Sequence, residues 1–221
     1  MGHFLSGDQH RILRAMDIPV WVSRGIEEIS ADPDQDISAI WAGLEREVAG
    51  CTQCQLHQTR RQTVFGVGNR TAQWMIIGEA PGAEEDRQGE PFVGKAGLLL
   101  NQMLRAVGLA RSDVYIANIL KCRPPGNRDP GPAEVDACSA YLNRQIELIR
   151  PSLILAVGRI AAQNLLDQNQ PVGKLRGIVH EFGTSKIPVV VTYHPAFLLR
   201  SPGQKRKAWS DLCLARRVAD T

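Results

Sequence analysis

Four of the five cysteines in this 221-residue chain fall into a pattern that thiolate chemistry can use. Cys51 and Cys54 form a C-x-x-C pair, and Cys122 and Cys138 flank one Pro/Gly-rich loop far downstream. Two pairs suggest one tetrahedral sulfur site, and four thiolates suit zinc or an iron–sulfur cluster equally well on ligand type alone. The alternative is a redox-active C-x-x-C, with Cys122 and Cys138 as small buried apolar residues. Cys213 is the odd one, read as a core-facing helix residue. His57 is read as a surface or hydrogen-bonding residue, because four cysteines already complete a closed site.

A second set of polar residues stands at the ends of short apolar runs. Gly78-Glu79-Ala80-Pro81-Gly82 lacks both G-x-G-x-x-G and a Walker Gly-Lys-Ser/Thr, so it is a tight turn presenting Glu79 rather than a phosphate loop. Phe92, between Pro91 and Val93 in a glycine-rich stretch, is either a packing residue or an aromatic platform for a planar ligand. Asn118 offers a donor and an acceptor to a flat heterocycle, or else caps a turn. His194 precedes Pro195, which forces a sharp exit and keeps the imidazole at the strand end. Phe197-Leu198-Leu199-Arg200 has the composition of a wedge that enters a DNA stack, or of a buried helix start.

The elements that must hold these residues are legible from periodicity. Trp74 to Ile77, Val114 to Ile119, Leu153 to Val157 and Val189 to Thr192 read as fully buried strands, and Ala96 to Val107, Pro132 to Ile149, Arg159 to Leu166 and about Lys205 to Val218 read as helices. A helix from Ile37 to about Val48 delivers the chain to Cys51. Apolar strands alternating with helices give an α/β protein, a three-layer α/β/α sandwich with a central four-stranded parallel sheet. In such a sheet ligands bind beyond the carboxyl ends of the strands, where Glu79, Asn118 and His194 all stand. Residues 1–36, with the Asp-rich run Ala31 to Asp36, read as an appendage or linker, and residues 37–221 as the main domain.

Composition sets the outer bounds. A chain of 221 residues supports one main α/β domain. Its apolar runs are far shorter than the roughly 20 residues of a bilayer crossing, so no membrane is expected. The N-terminus does not read as a signal peptide, and an odd cysteine count argues against a secreted disulfide framework, so the expected address is cytoplasmic. The net charge of +3 is unevenly spread: residues 1–50 carry −5 and residues 200–221 carry +4. A basic carboxyl-terminal end suits either phosphate contacts or a solvated helix face.

Taken together, several stretches resemble the family 4 uracil-DNA glycosylases, the iron–sulfur branch of that superfamily. They are Cys51-x-x-Cys54; Gly78 to Gly82 with Glu85-Asp86 and Gly89 to Gly94; Asn118 to Pro125; Cys138; and His194 to Arg200. The resemblance runs from about Cys51 to Ala208. It implies a 4Fe–4S cluster on Cys51, Cys54, Cys122 and Cys138, and hydrolysis of the N-glycosidic bond of uracil in single- or double-stranded DNA by a chain expected to act as a monomer. It also implies a uracil slot built from Gly78, Glu79, Phe92, Asn118 and His194. Phe92 would stack on the everted base, Asn118 would read its O4 and N3–H edge, and His194 would hydrogen-bond O2 as charge develops there.

Glu79 departs from the Asp that other branches place in this turn. It is expected to line the pocket and support the sugar cation, with water positioning as the competing role. Arg123, Arg128, Leu198, Leu199 and Arg200 are the candidate DNA contacts. The rival functions are a non-catalytic iron–sulfur DNA-binding module, whose pocket would be vestigial, and a zinc-stabilised nucleotide-binding protein.

Overall fold

The computed structural model describes residues 33–220, with Leu13, Ala15 and Met16. The chain divides into two compact units, Met1–Asp36 and Ile37–Thr221. Apart from residues 33–36 and those three, the expected appendage lies outside the described residues.

The second unit is built on a single six-stranded sheet. Its strands are β1 Val67–Gly68, β2 Trp74–Gly78, β3 Tyr115–Asn118, β4 Leu153–Val157, β5 Val179–Phe182 and β6 Ile187–Thr192, in the spatial order β1-β3-β2-β4-β6-β5. The four inner strands are parallel, as expected from their continuous apolar character. Two edge strands were not anticipated, and both run antiparallel. Strand β1 is only two residues long, and β5 alternates exposed and half-buried residues around His180 and Glu181. Neither therefore shows the apolar run of a buried strand.

The described helices are α1 Pro33–Ala49, α2 Ala83–Gln88, α3 Lys95–Ala106, α4 Pro132–Ile149, α5 Arg159–Leu166, α6 Val172–Leu175, α7 Pro195–Arg200 and α8 Lys205–Ala219. Helix α1 starts four residues before Ile37, so the end of the expected linker is helical. Proline at the first helical position lacks only an N–H that would be unpaired there anyway.

Alternate residues of each inner strand feed opposite sides of the sheet. On one side Met75, Ile77, Ala117, Ile154 and Val191 pack with Trp41 of α1, Leu142 and Ile146 of α4 and Ala161 of α5. On the other, Ile76, Ile116, Leu155 and Val190 pack with Leu100 and Leu104 of α3, Leu198 of α7 and Leu212 of α8. This is the three-layer sandwich. It also corrects one expected DNA contact. Leu198 is 1% exposed and belongs to the core, because residues 195–200 wind into a helix that turns Pro195 and Leu198 inward. Cys213 is half-buried.

A buried ion pair fastens α8 to the sheet. Arg176, just past α6, donates from Nη2 to Asp211 Oδ1 (2.6 Å) and from Nε to Oδ2 (3.0 Å), while Thr192 Oγ1 at the end of β6 donates to the same Oδ2 (3.0 Å). Asp211 is fully buried, and that burial pushes its carboxyl pKa up against the opposing pull of Arg176. Removing one partner strands the other charge in a low dielectric. Arg176→Met is therefore expected to cost about 3–5 kcal/mol of folding stability, read as the shift in a urea unfolding curve. A shift no larger than that of an exposed ion pair would show that water reaches Asp211.

Candidate functional site

The strand register levels the carboxyl ends of the inner strands. Gly78 of β2 lies opposite Asn118 of β3, and Val157 of β4 opposite Thr192 of β6. The chain leaves β2 towards β3 and later returns past it to β4, so the loops diverge above β2 and leave a crevice at this topological switch point. A cavity of about 640 Å³ opens there, within the range of small-molecule sites. Every strand of the parallel set contributes to its wall: Glu79 and Gly82 after β2, Asn118 at the end of β3 with Arg128 after it, Gly158 and Arg159 after β4, His194 and Arg200 after β6. Phe92 joins them from the segment before α3. Glu79, Phe92, Asn118 and His194, expected to form one slot, thus line one cavity.

Glycine at 78 is what lets the wall close. A Cβ there would stand 2.5 Å from Asn118 Oδ1 and 2.6 Å from Phe92 Cζ. The missing side chain brings the amide and the ring to one point.

Asn118 is 2% exposed, and its Oδ1 is buried with no hydrogen-bond donor. An unmet buried acceptor costs about 1–3 kcal/mol, so this atom is poised for a donor that the chain does not supply.

Phe92 is 6% exposed yet lines the cavity, with its ring stacked on His194 at 5.6 Å between centroids and 29° between planes. It serves as packing residue and ligand-facing wall at once. Its backbone takes φ 54°, the left-handed region that a non-glycine residue rarely adopts. Two clamps hold it there. Arg111 donates to Pro91 O (2.5 Å) and Phe92 O (3.3 Å), and Glu85 Oε1 accepts from Val93 N (3.0 Å) and Gly94 N (3.2 Å). Gly97 completes the fit, since a Cβ there would overlap Phe92 O at 1.7 Å. Arg111 escaped the sequence reading because nothing local connects it to Phe92. Glu85 was visible only as part of the Glu85-Asp86 pair in the family resemblance, with no role given to it.

His194 caps α7, its Nδ1 accepting from Ala196 N at 3.1 Å. A ring nitrogen that accepts carries no proton, which assigns the remaining proton of the neutral ring to Nε2. Burial, reinforced by the Arg200 cation and opposed by Glu85, depresses the His194 pKa to about 4. The imidazole is therefore a neutral Nε2–H donor at physiological pH. Burial and the nearby Asp129 raise the Glu79 pKa, with Arg159 pulling the other way.

Among the cationic candidates, Arg128 is engaged by Glu134 (2.6 Å) and Arg159 by Asp129 (2.5 Å). Arg123, half-buried, donates from Nε to Asn127 Oδ1 (2.7 Å). Leu199 is 43% exposed and Arg200 is exposed.

The four cysteines also meet. Cys51 follows α1, Cys54 opens a 3-10 turn at Gln55–Gln58, Cys122 follows β3 and Cys138 lies in α4, and all line one small cavity. Arg60 Nη1 donates to Cys122 Sγ (3.2 Å) and Lys121 N to Cys138 Sγ (3.3 Å). Burial holds the Cys138 thiol up at about 11 and raises Cys122 as well. The N–H donors at Cys122 and Cys138 suit sulfurs that would carry negative charge as thiolate ligands of an inorganic group. Among the described residues no three Cys, His, Asp or Glu side chains are grouped as ligands of one metal ion. A lone zinc would draw all four sulfurs to within about 2.3 Å of a single atom, whereas a cluster gives each thiolate its own iron. On ligand type the four thiols fit either group. His57 stays outside it, with Nδ1 2.8 Å from Cys54 O.

The wall of the cavity and the thiol cluster share β3 and its following loop. Lys121 is 1% exposed, and its Nζ donates to Asn118 O (3.0 Å) and to Gln145 Oε1 (2.6 Å). Burial lowers its pKa to about 8. The sequence reading passed over this residue, since a lysine between Leu120 and Cys122 looks like any solvated cation.

An α/β sandwich with a polar-lined cavity at its switch point is the class that fold and site define, and residues 65–213 match a family model described as the uracil DNA glycosylase superfamily. Three curated relatives refine it, each called a type-4 uracil-DNA glycosylase. The protein from Archaeoglobus fulgidus is 49% identical over 76% of this chain and 87% of its own length. Those from Sulfurisphaera tokodaii and Thermotoga maritima are 41% and 44% identical, over 80% and 72% of this chain and 84% and 82% of their own lengths. The chain belongs to the type-4 uracil-DNA glycosylases.

The His194 geometry has a direct consequence for titration. Nitrogen-15 NMR is expected to show His194 as the neutral Nε2–H tautomer down to about pH 5, with its midpoint near 4. The unfolded chain protonates this ring near 6.5. The folded state therefore binds fewer protons between those values, and His194 withdraws stability as pH falls from about 6.5 to about 4. A midpoint at the solvent value would show that the ring stands in water.

Proposed function

We propose that this slot receives uracil everted from DNA and that the chain hydrolyses its N-glycosidic bond, leaving an abasic site. The observation that carries the reading is the buried, donorless Oδ1 of Asn118. Uracil N3–H is the donor that fits it, and the Asn118 amide N–H can then donate to O4. Cytosine reverses both partners, presenting an unprotonated N3 and an amino group, and would leave the buried amide unpaired. Sites built this way discriminate strongly against the wrong partner.

Before any of this the base must leave the stack, at a cost of a few kcal/mol. Stacking on Phe92 recovers part of that cost, and the Arg111 and Glu85 clamps keep the ring in place for it. As the glycosidic bond lengthens, negative charge gathers on uracil O2 and positive charge on the sugar. His194 Nε2–H donates to O2, an interaction that strengthens only as charge develops. Because the ring starts neutral, it stabilises the departing anion without having to give up a proton. Glu79 lines the slot and places a carboxylate beside the sugar cation.

The cofactor reading is a 4Fe–4S cluster on Cys51, Cys54, Cys122 and Cys138, supported by the four thiols lining one cavity and by the N–H donors to two of them. When bound, such a cluster supplies a covalent cross-link between the segments that bear its ligands, and hydrolysis asks no electron of it. Arg60 and the Lys121 amide orient two ligands, and the loop bearing Arg123 and Arg128 is fixed against the DNA backbone. The protein is read as a monomer acting on single- or double-stranded DNA in the cytoplasm, with residues 1–36 as an appendage. Among the described residues no helix is long and apolar enough to cross a membrane. The slot geometry favours a working enzyme over a vestigial module.

A labelled uracil-containing oligonucleotide is expected to break at the uracil after incubation and alkali, and an intact strand would return the protein to the binding-module class. In single-turnover assays His194→Ala is expected to lose about 10²–10³-fold, and Glu79→Ala clearly less; comparable losses would assign Glu79 the larger, water-directing part. The purified protein is expected to be brown, with iron and acid-labile sulfide in equal amounts. A colourless zinc protein would remove the cluster reading.

A further inference from the structure

The positive charge around the slot is of two kinds. Arg128 and Arg159 are neutralised in ion pairs with Glu134 and Asp129. Elsewhere on the rim, Arg200 ends α7, a 3-10 turn at Pro202–Gln204 follows, and α8 opens with Lys205, Arg206 and Lys207. All four cations are exposed, and none makes an ion pair among the described residues. No acidic residue occurs between Glu181 and Asp211, and Asp211 is buried and held by Arg176. Arg200 lines the slot. Five further residues reach Lys205, at most about 18 Å of chain, or about five base-pair rises of a duplex. The unopposed charge is therefore continuous with the slot mouth and falls within one nucleic-acid footprint.

One more feature suits the same partner. Trp209 is 47% exposed and lies one helical turn beyond Lys205, on the same face. The inner face of α8 is anchored by Ala208, Asp211 and Leu212. An exposed indole beside three cations offers a stacking surface for a base together with charge for its phosphates.

We propose that Arg200, Lys205, Arg206, Lys207 and Trp209 form a backbone track that holds the DNA flanking the everted nucleotide and leads it along α8. This rests on the glycosylase reading for its partner and extends it to a surface outside the slot. The track supplies affinity and direction but takes no part in bond cleavage. Each phosphate it neutralises releases counterions, so its contribution falls with salt.

The test uses the full-length protein and a Lys205→Ala/Arg206→Ala/Lys207→Ala variant, with a fluorescent oligonucleotide that contains no uracil. The slope of log binding constant against log salt is expected to become shallower by about 2–3, the loss of three phosphate contacts, and affinity at low salt to fall at least about tenfold. The single-turnover rate of uracil release at saturating protein is expected to stay at the wild-type value. A charge-preserving Lys205→Arg/Arg206→Lys/Lys207→Arg variant should bind as wild type does. Binding is also expected to quench a tryptophan signal that Trp209→Phe removes.

An unchanged slope and affinity in the alanine variant would overturn the track, even if uracil is released normally. So would loss of binding in the charge-preserving variant. Failure of the wild type to release uracil would instead sink the excision reading, leaving the binding slopes to judge the track alone.

Discussion

The alignment of Gly78 with Asn118 across two parallel strands is the constraint on which the rest of the site depends. Parallel register fixes where Asn118 leaves the sheet, and the missing side chain at Gly78 gives the amide and the Phe92 ring a common corner. The other parts are arranged around that corner. The α7 cap brings His194 against Phe92, and the clamps from Arg111 and Glu85 hold Phe92 in a backbone region it would not choose. Strained backbone of this kind costs about 1–3 kcal/mol and persists only where surroundings overdetermine it. Here they do so from two directions.

The same corner is tied to the thiol cavity through a short buried relay. The Lys121 ammonium hydrogen-bonds the Asn118 carbonyl, its backbone N–H points at Cys138, and Gln145 links it onward to Phe65 O and the Tyr115 hydroxyl. A charge this deep survives only because several dipoles converge on it. Asn118 in the slot wall and the sulfurs of the second cavity are therefore parts of one hydrogen-bonded unit within α4 and the end of β3.

The sequence disclosed these parts unequally, for physical reasons. Strands buried on both sides must be apolar throughout, so the four inner strands were legible, while the edge strands β1 and β5 are too short or too mixed to show. Helices α4 and α5 were placed at their observed bounds, Pro132–Ile149 and Arg159–Leu166, because Gly131 and Gly158 stand at their starts. The slot residues were legible as polar groups at strand ends, since topology sends all such ends to one side. Leu198 misled because six residues are too few to reveal helical periodicity, and an inward-facing leucine then looks like a surface wedge. Arg111, Lys121 and Arg159 act through contacts distant in sequence or through burial, neither of which residue type discloses.

The paired arginines at the slot mouth bear on how such a protein surveys a chromosome. Arg128 and Arg159 already have carboxylate partners, so a passing phosphate must compete for them and gains little by doing so. On the proposed reading, these two arginines therefore add little to the grip on undamaged DNA. Residence then rests on the unpaired cations that open α8 and on whether a base enters the slot.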